Sequence, residues 1–376
     1  MTARLIPFSD LAPTTEEIRD EVEQGWRRLL DGNAWVGGDE VERFERGFAA
    51  YCGTAEAVAV GNGTDALHLI LRALGIGPGD EVLVPANTFI ATAEAVVLAG
   101  ARPRFVDVDP DSLLLTPAIA EAALTPSTAA IVPVHLFGHV ADVTGLKEVA
   151  GRSGLALVED AAQGHGAERD GVRAGSAADA AAFSFYPGKN LGAFGDAGAV
   201  TTDDPALASA VRSLANHGRA AHDRHLHTSV GTNSRLDSLQ AVVLSAKLSR
   251  LDTWTEQRTK IVEAYRARLD QLPLRIVEPD AGVVSAWHLL VVRVADRDRV
   301  RAELAARGVQ TGIHYPVPCH EQPAFAEWVD RPLPVASRAA QEILSLPLHP
   351  HMDLDDVDVV CEVLADVLGQ GAQDRR

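Results

Sequence analysis

Cysteine and positive charge are both scarce in this sequence of 376 residues. The three cysteines, Cys52, Cys319 and Cys361, have no paired spacing of the kind that marks a disulfide framework, so we expect a protein of the reducing cytoplasm. Lysine and arginine number 34 against 52 aspartates and glutamates. The formal net charge of -18 argues against general binding to nucleic acid, which requires cations that neutralise phosphates. A phosphorylated ligand would therefore need a local basic patch.

Long apolar runs are also missing. Residues 1–7 lack the apolar core of a signal peptide, and no stretch requires a membrane span. With 47% hydrophobic and 23% charged residues, the composition is that of an ordinary globular protein with a sizeable core. The length allows one large and one smaller domain. We expect no association with membranes.

Strand and helix patterns alternate from residue 56 onward. Short apolar runs end at turn residues, and helical patterns fill the intervals between them. This alternation predicts an α/β fold with a mostly parallel sheet covered by helices on both faces. Helices predicted over 235–251 and 254–269 flank a domain boundary. We place a large domain with an N-terminal helical segment at 1–251 and a small C-terminal α+β domain at 252–376.

One lysine follows a buried strand pattern. The run 180–185 is short and apolar, and the turn Pro187-Gly188 presents Lys189 at the carboxyl end of the predicted strand. Ligands of open α/β sheets bind at that edge. A desolvated lysine there can lose its proton and form a Schiff base, which arginine cannot do. A surface lysine after a tight turn is the alternative interpretation.

A second buried strand pattern, 155–160, brings Asp160 to the same edge of the predicted sheet. Pyridoxal 5'-phosphate needs a lysine for its imine and a carboxylate opposite its pyridine nitrogen, because the protonated ring draws electrons from the substrate carbanion. We therefore interpret Lys189 and Asp160 as catalytic residues of an enzyme with this cofactor. The alternative for Asp160 is the cap of a helix that begins at Ala161.

A third stretch places small polar residues directly before an amphipathic helix. Gly63 and Thr64 lie at its start, where free N–H groups and the positive end of the helix dipole favour an anion. We predict a phosphate site there. An ordinary helix start capped by Thr64 or Asp65 is the alternative.

The most basic part of this acidic chain is the segment 216–227. We predict that its cations meet a nucleotide diphosphate through charge-assisted hydrogen bonds, with a solvated loop as the alternative. The pair His225-x-His227 has no third ligand at a recognisable spacing. We therefore predict no metal site.

With these stretches in place, the chain resembles the DegT/DnrJ/EryC1/StrS sugar aminotransferases, over nearly its whole length. Further segments that match the family are 84–89, 231–237, 314–320 and 344–347. The resemblance implies the fold type I (aspartate aminotransferase-like) architecture with pyridoxal 5'-phosphate bound to Lys189. It further implies a homodimer with shared active sites.

The resemblance also assigns the cofactor contacts. Gln163 would bond the phenolic oxygen, Phe89 would stack on the pyridine ring, and Asn233 would reach the phosphate of a neighbouring subunit. Ser184 would hold the phosphate together with the start of the helix. From the residues alone, a core phenylalanine is the preferred interpretation of Phe89.

Within the family, the segment 190–196 is most similar to the branch that aminates C-3 of dTDP-linked 3-keto-6-deoxyhexoses, and it lacks the Thr-Gly-Glu-Gly-Gly pattern of many C-4 enzymes. L-glutamate is the implied amino donor. Candidate substrate contacts are Tyr186, His217, Arg219, Arg224, His225, His314, Tyr315 and His320. The alternatives are a C-4 nucleotide-sugar or cyclitol ketone aminotransferase on the same fold, or a cofactor-binding regulator without turnover.

Overall fold

The computed structural model describes residues 5–373. The helices are α1 (Ala12–Gly32), α2 (Asp39–Cys52), α3 (Gly63–Ala73), α4 (Ile90–Leu98), α5 (Pro117–Ala123), α6 (Val143–Ser153), α7 (Pro205–Leu214), α8 (Ser238–Leu248), α9 (Leu251–Leu269), α10 (Arg297–Ala306), α11 (Pro334–Glu342) and α12 (Leu354–Gln373). The strands are β1 (Glu56–Val60), β2 (Glu81–Pro85), β3 (Arg102–Val106), β4 (Thr128–Ile131), β5 (Ala156–Asp160), β6 (Glu168–Arg169), β7 (Val172–Arg173), β8 (Ala180–Ser184), β9 (Gly198–Thr202), β10 (Leu274–Ile276), β11 (Val283–Val284), β12 (Leu290–Val294) and β13 (Ile343–Leu346). Within this part of the chain, no helix combines the length and the apolar character that crossing a bilayer requires.

A seven-stranded sheet organises the larger part of the molecule. Its strand order is β1-β9-β8-β5-β4-β2-β3, and β9 runs antiparallel to both of its neighbours while the other pairings are parallel. The predicted mostly parallel sheet is therefore confirmed. The central neighbours β5 and β8 are in register from Val158 opposite Ala180 to Asp160 opposite Ala182. Their carboxyl ends consequently lie side by side.

Helices cover both faces of this sheet, as the alternating pattern predicted. Val82 and Val84 of β2 belong to a buried cluster that includes residues of α3, α4 and α7. Leu83, between them, belongs to a second cluster that includes residues of α5 and α6. Successive strand residues point to opposite faces, so one strand supplies apolar side chains to both layers.

The C-terminal part forms a smaller α+β unit. The antiparallel strands β10-β12-β13 pack with α9, α10 and α12 around buried side chains such as Tyr265, Val300 and Leu344. Ile6, which the sequence assigned to the large domain, joins this cluster and pairs with Val309. The N-terminal segment therefore crosses to the smaller unit. The domain limits at 1–251 and 252–376 stay a prediction.

The helix predicted over 235–251 is wrong at both ends. The observed helix α8 begins at Ser238, because Asp237 forms a β-bridge with Val36 and the Ser238 N–H donates to Trp35 O at 3.0 Å, which keeps the preceding backbone extended. After Leu248 the helix ends, and α9 starts at Leu251 rather than at the predicted residue 254.

Candidate active site

A cavity of about 810 Å³ lies at the carboxyl ends of β5 and β8. Asp160 ends β5 and Ser184 ends β8, and the parallel pairing brings both to the cavity wall. The predicted site residues that line it are Gly63, Thr64, Phe89, Asp160, Gln163, Ser184, Tyr186, Lys189, His314 and Tyr315. Residues from distant parts of the chain thus meet at the sheet edge where open α/β folds bind ligands.

Lys189 reaches the cavity from the turn that follows β8. Its backbone N–H donates to Tyr186 O at 2.8 Å, which closes the predicted Pro-Gly turn. Burial lowers the pKa of Lys189 to about 8, because desolvation disfavours the ammonium form, and the nearby carboxylate of Asp160 opposes this shift. A lysine with this pKa offers a neutral amine close to neutral pH, as a nucleophile or a general base must.

A second buried lysine supports the loop that carries Lys189. Lys247 on α8 donates from Nζ to Gly192 O at 2.6 Å and lies 4.9 Å from the centroid of the Phe194 ring. Its burial lowers the pKa of Lys247 to about 8. Sequence analysis missed this residue, since nothing in the apolar pattern of α8 indicates which carbonyl its side chain meets.

Asp160 is held by hydroxyl and backbone donors. Thr92 Oγ1 donates to Asp160 Oδ2 at 2.7 Å, Thr88 Oγ1 lies 2.8 Å from Thr92 Oγ1, and the Ala162 N–H donates to Asp160 Oδ1 at 3.2 Å. Burial raises the pKa of Asp160, while these donors and the charge of Lys189 oppose the rise. A turn rather than a helix follows Asp160, so the helix-cap alternative is wrong.

A buried contact between a carboxylate and an imidazole lies directly behind Asp160. Glu159 Oε2 lies 2.7 Å from His135 Nε2, and the same carboxylate accepts from the N–H groups of Gly175 at 2.7 Å and Ala178 at 3.0 Å. Burial alone would raise the pKa of Glu159, but the bond to His135 and the backbone donors lower it. Because successive strand residues face opposite ways, this network braces β5 on one side while Asp160 faces the cavity on the other.

The N-terminus of α3 forms another wall of the cavity. Its cap is Asn62, whose Oδ1 accepts from the Asp65 N–H at 2.8 Å, and not Thr64 or Asp65 as the alternative interpretation had it. The N–H groups of Gly63 and Thr64 belong to the first turn, which has no intrahelical acceptor for them. A Cβ on Gly63 would lie 2.7 Å from the Ser184 Cβ, so glycine lets the two segments converge.

Gln163, Tyr315 and Phe89 form one connected side of the cavity. Gln163 Oε1 accepts from the Phe137 N–H at 2.7 Å, and Gln163 Nε2 donates to the Tyr315 hydroxyl at 3.2 Å. The Phe89 and Tyr315 ring centroids are 5.3 Å apart. Phe89 is 51% exposed, so it is not the core phenylalanine of the alternative interpretation. Its ring is available to a planar ligand.

Cationic and imidazole side chains line a different part of the cavity. Arg258 and His288 do so together with His314, and sequence analysis identified only the last of these. His288 Nδ1 lies 3.2 Å from Asn190 Oδ1, and His314 Nδ1 lies 2.8 Å from Ser345 Oγ. Burial and the charge of Lys189 lower the pKa of His314 to about 4, so this imidazole is neutral at neutral pH.

Several predicted site residues lie outside this cavity. The basic segment 216–227 is a surface loop, and its residues His217, Arg219, Arg224 and His225 are exposed. Asn233 is also exposed and forms a β-bridge with Asn216. His320 is buried elsewhere, with Nε2 3.2 Å from Ser337 Oγ. Across residues 5–373 there is no group of three or more metal-ligating side chains.

The fold and the site together define an aminotransferase. The chain belongs to the DegT/DnrJ/EryC1/StrS aminotransferase family, whose model matches residues 16–365. It is 49% identical over 362 residues to the erythromycin biosynthesis sensory transduction protein EryC1 of Saccharopolyspora erythraea, a match that covers 96% of this chain and 98% of that protein.

Two further similarities involve Streptomyces venezuelae. The chain is 48% identical over 353 residues to its dTDP-3-amino-3,4,6-trideoxy-alpha-D-glucose transaminase, a match that covers 93% of this chain and 92% of that protein. The crystal structure of S. venezuelae DesV in complex with a ketimine intermediate aligns with a TM-score of 0.93 at 46% identity, over 96% of this chain and 98% of that one.

Proposed function

We propose that this protein is a pyridoxal 5'-phosphate-dependent sugar aminotransferase. It moves an amino group from L-glutamate to a dTDP-3-keto-6-deoxyhexose and yields the 3-amino-3,6-dideoxyhexose. The observation that carries the proposal is the meeting of Lys189 and Asp160 in one cavity beside the first turn of α3. A lysine amine, a carboxylate and an anion cradle are the three groups that this cofactor needs from a protein.

The residues of the cavity fit pyridoxal phosphate in size and chemistry. Gly63, Thr64 and Ser184 surround the free N–H groups of α3, where a phosphate would be held. Phe89 offers an exposed ring for the face of the pyridine, and Gln163 has an amide close to the Tyr315 hydroxyl for the phenolic oxygen. These donors and the ring come from four separate segments that converge on Lys189.

The chemistry divides between the cofactor and the protein. When bound, pyridoxal phosphate supplies an electron sink that stabilises negative charge on the substrate carbon that loses a proton. Asp160, oriented by Thr92, holds the proton on the pyridine nitrogen. Lys189 Nζ takes the proton from the α carbon of the amino donor and, in the second half-reaction, delivers a proton to C-3 of the sugar. Its depressed pKa suits both transfers, since the amine is neutral or protonated in turn near pH 8.

Amination at C-3 rests on the segment that follows the lysine and on the relatives. The segment 190–196 lacks the Thr-Gly-Glu-Gly-Gly pattern, and the transaminase of S. venezuelae is named for a 3-amino sugar. Which ketone carbon reacts depends on near-attack geometry, with reacting atoms about 3–3.5 Å apart. Tyr186, His314 and Tyr315 line the cavity and are the proposed sugar contacts.

A homodimer accounts for the predicted residues that lie outside the cavity of their own chain. We place Asn233 at the cofactor phosphate of the partner and the basic residues 217–225 at the nucleotide diphosphate of the sugar bound there. Both are exposed on the surface of this chain, as an interface contribution requires. Two-fold dimers are the commonest closed assemblies, and each subunit would give and receive the same contact. The unpaired, buried cysteines fit the proposed cytoplasmic location.

A regulator without turnover is the second candidate, because the relative EryC1 is named as a sensory transduction protein. A pure sensor would need the cofactor site but no proton-transfer base. The depressed pKa of Lys189 and its place opposite Asp160 favour an enzyme. A glutamate-dependent spectral change of the bound cofactor, followed by turnover, separates the two candidates.

The test is to incubate purified holoprotein with L-glutamate and dTDP-linked keto sugars. We compare three dTDP-linked acceptors, which are a 3-keto-6-deoxyhexose, its 4-deoxy counterpart and a 4-keto-6-deoxyhexose, with a cyclitol ketone that carries no nucleotide. NMR of each product locates the new C–N bond. We expect 3-amino products, 2-oxoglutarate in equal amount, and no product with Lys189→Ala. An efficient 4-amino product or aminocyclitol would overturn the C-3 assignment, and binding without any product would favour the regulator.

A further inference from the structure

One buried cation in the cavity wall has no anionic partner. Arg258 on α9 is 7% exposed, yet its two hydrogen bonds go from Nη1 to backbone carbonyls, Trp287 O at 3.2 Å and Leu348 O at 3.3 Å. Among the residues that the structure describes, no carboxylate lies within ion-pair distance of its guanidinium. Burial lowers the pKa of Arg258 to about 10, so the side chain remains charged at neutral pH.

An uncompensated charge in this position is energetically costly, since a buried cation is normally paired. Among the residues whose burial is described, Arg297 is equally buried and has such a partner: its Nε donates to Asp298 at 2.7 Å while Nη1 donates to two backbone carbonyls. Arg258 has the carbonyl contacts without the carboxylate. Arg258 lines the cavity that also contains Lys189, so a molecule bound there can supply the missing partner.

Three carboxylates share this cavity, and none of them pairs with Arg258. Asp160 accepts a hydrogen bond from Thr92, Asp65 accepts one from Asn62 Nδ2 at 3.0 Å, and Asp196 is exposed. The neighbours of Arg258 are imidazoles instead. Burial and then the charges of Lys189 and Arg258 lower the pKa of His288, so both cations lie near this imidazole. This part of the cavity is therefore electropositive.

The anion must be small and must reach the enclosed side of the cavity. The cofactor phosphate belongs at α3, on another wall. The open side is marked by Tyr186 and Phe89, which are 60% and 51% exposed, and a nucleotide diphosphate would enter there. What remains for the enclosed side beside Lys189 is the amino donor. We propose that Arg258 binds a carboxylate of the amino donor, with His288 and His314 beside it; this deepens the proposed function and rests on it.

The two half-reactions allow a direct test. Stopped-flow spectra of the holoenzyme follow reaction with L-glutamate, and the aminated enzyme is then mixed with the keto sugar. In Arg258→Gln we expect kcat/KM for glutamate to fall about 10- to 100-fold, as for the loss of a charged hydrogen bond, and the sugar half-reaction to remain at the wild-type rate. Arg258→Lys, which keeps the charge but not the forked donors, should show a smaller loss. If Arg258→Gln does not fold, the donor half-reaction of Arg258→Lys tests the proposal instead.

Arg297→Gln is the matched control, because it removes a buried arginine with the same pair of carbonyl contacts outside the cavity. It should leave both half-reactions unchanged. L-alanine as donor distinguishes the carboxylates: equal losses with alanine and glutamate assign the α-carboxylate, and a loss with glutamate alone assigns the side-chain carboxylate. The inference is overturned if the sugar half-reaction falls as much as the donor half-reaction, or if Arg297→Gln shows the same donor defect.

Calorimetric titration of the holoenzyme with maleate, an unreactive dicarboxylate, separates this inference from the proposed function. Weaker maleate binding to Arg258→Gln than to wild type supports the anion site even if glutamate turns out not to be a substrate. Equal maleate binding by the two proteins overturns the site. A wild-type holoenzyme that binds maleate but shows no glutamate-dependent spectral change would instead contradict the proposed function.

Discussion

Thr92 Oγ1 donates a hydrogen bond of 2.7 Å to Asp160 Oδ2, and this contact joins helix α4 to the end of strand β5. The Thr88 hydroxyl, 2.8 Å from Thr92 Oγ1, extends the contact into a short chain of hydroxyl groups. Both threonines are buried, so water does not compete for the carboxylate. Thr92 thus orients the side chain to which we assign the ring nitrogen of the cofactor.

Replacing Thr92 by valine keeps the shape of the side chain and removes this donor. We expect kcat to fall about 10-fold, because a hydrogen bond to a charged acceptor is lost. Steady-state rates at saturating glutamate and keto sugar measure the effect. Thr259→Val is the control, since its Oγ1 bonds only Thr255 O within α9 at 2.9 Å. Equal rates for Thr92→Val and wild type would show that Thr92 does not orient Asp160.

Lys189 should carry the cofactor. The chain has only four lysines, Lys147, Lys189, Lys247 and Lys260, so reduction of the holoprotein with borohydride and peptide mapping can resolve all of them. We expect the pyridoxyl mass on the Lys189 peptide and no turnover by Lys189→Ala. Lys247 is the informative competitor, because it is also buried and its pKa is also lowered. A label on Lys247 would contradict the assignment.

The lowered pKa of Lys189 predicts a specific pH dependence. The amine reacts only when neutral, and its folded-state pKa is about 8 rather than 10.5, so labelling of the apoprotein by an amine reagent should reach half of its maximum near pH 8. In Asp160→Asn the midpoint should move lower, since the Asp160 carboxylate raises the pKa of Lys189. Exposed Lys260 provides the reference in the same digest. A midpoint near 10.5, or an upward shift in Asp160→Asn, would be inconsistent with this electrostatic description.

Gly63→Ala should weaken cofactor binding. The added Cβ would lie 2.7 Å from the Ser184 Cβ, and overpacking of this kind typically costs about 1–3 kcal/mol. Titration of the apoprotein with pyridoxal phosphate, followed by tryptophan fluorescence, measures the change in Kd. Gly151→Ala in α6 is the matched control, because its Cβ would meet no atom within 4 Å. An unchanged Kd for pyridoxal phosphate in Gly63→Ala would show that the N-terminus of α3 does not form the phosphate site.

Hybrid dimers test the shared site. Lys189→Ala and Asn233→Ala chains should each be inactive or strongly impaired alone. After mixing and subunit exchange, half of the dimers are hybrids and each hybrid has one intact site, so we expect about a quarter of wild-type activity. Mass spectrometry under native conditions confirms the exchange. Exchange without any recovered activity would mean that Asn233 does not act across the interface.

The sequence by itself was sufficient for the fold class and for the two strand ends that organise the site. The apolar runs before Asp160 and Lys189, and the Pro-Gly turn between strand and lysine, are local signals, and the observed β5 and β8 agree with them. Parallel order brings the two carboxyl ends together, so their meeting in one cavity followed from the alternation of strands and helices. Resemblance to the family then added the roles of Gln163 and Phe89.

Tertiary structure alone decided which side chains support these residues. Thr92 lies 68 residues from Asp160 in sequence, and Lys247 lies 55 residues from the carbonyl of Gly192 that it binds. Arg258 faces the cavity because α9 packs against two separate parts of the chain, and its side chain donates to Trp287 O in one and to Leu348 O in the other. The limits of α8 depended in the same way on a bridge between Asp237 and Val36. Local patterns extend over about ten residues and specify burial and backbone conformation, whereas hydrogen-bond partners depend on how distant elements pack.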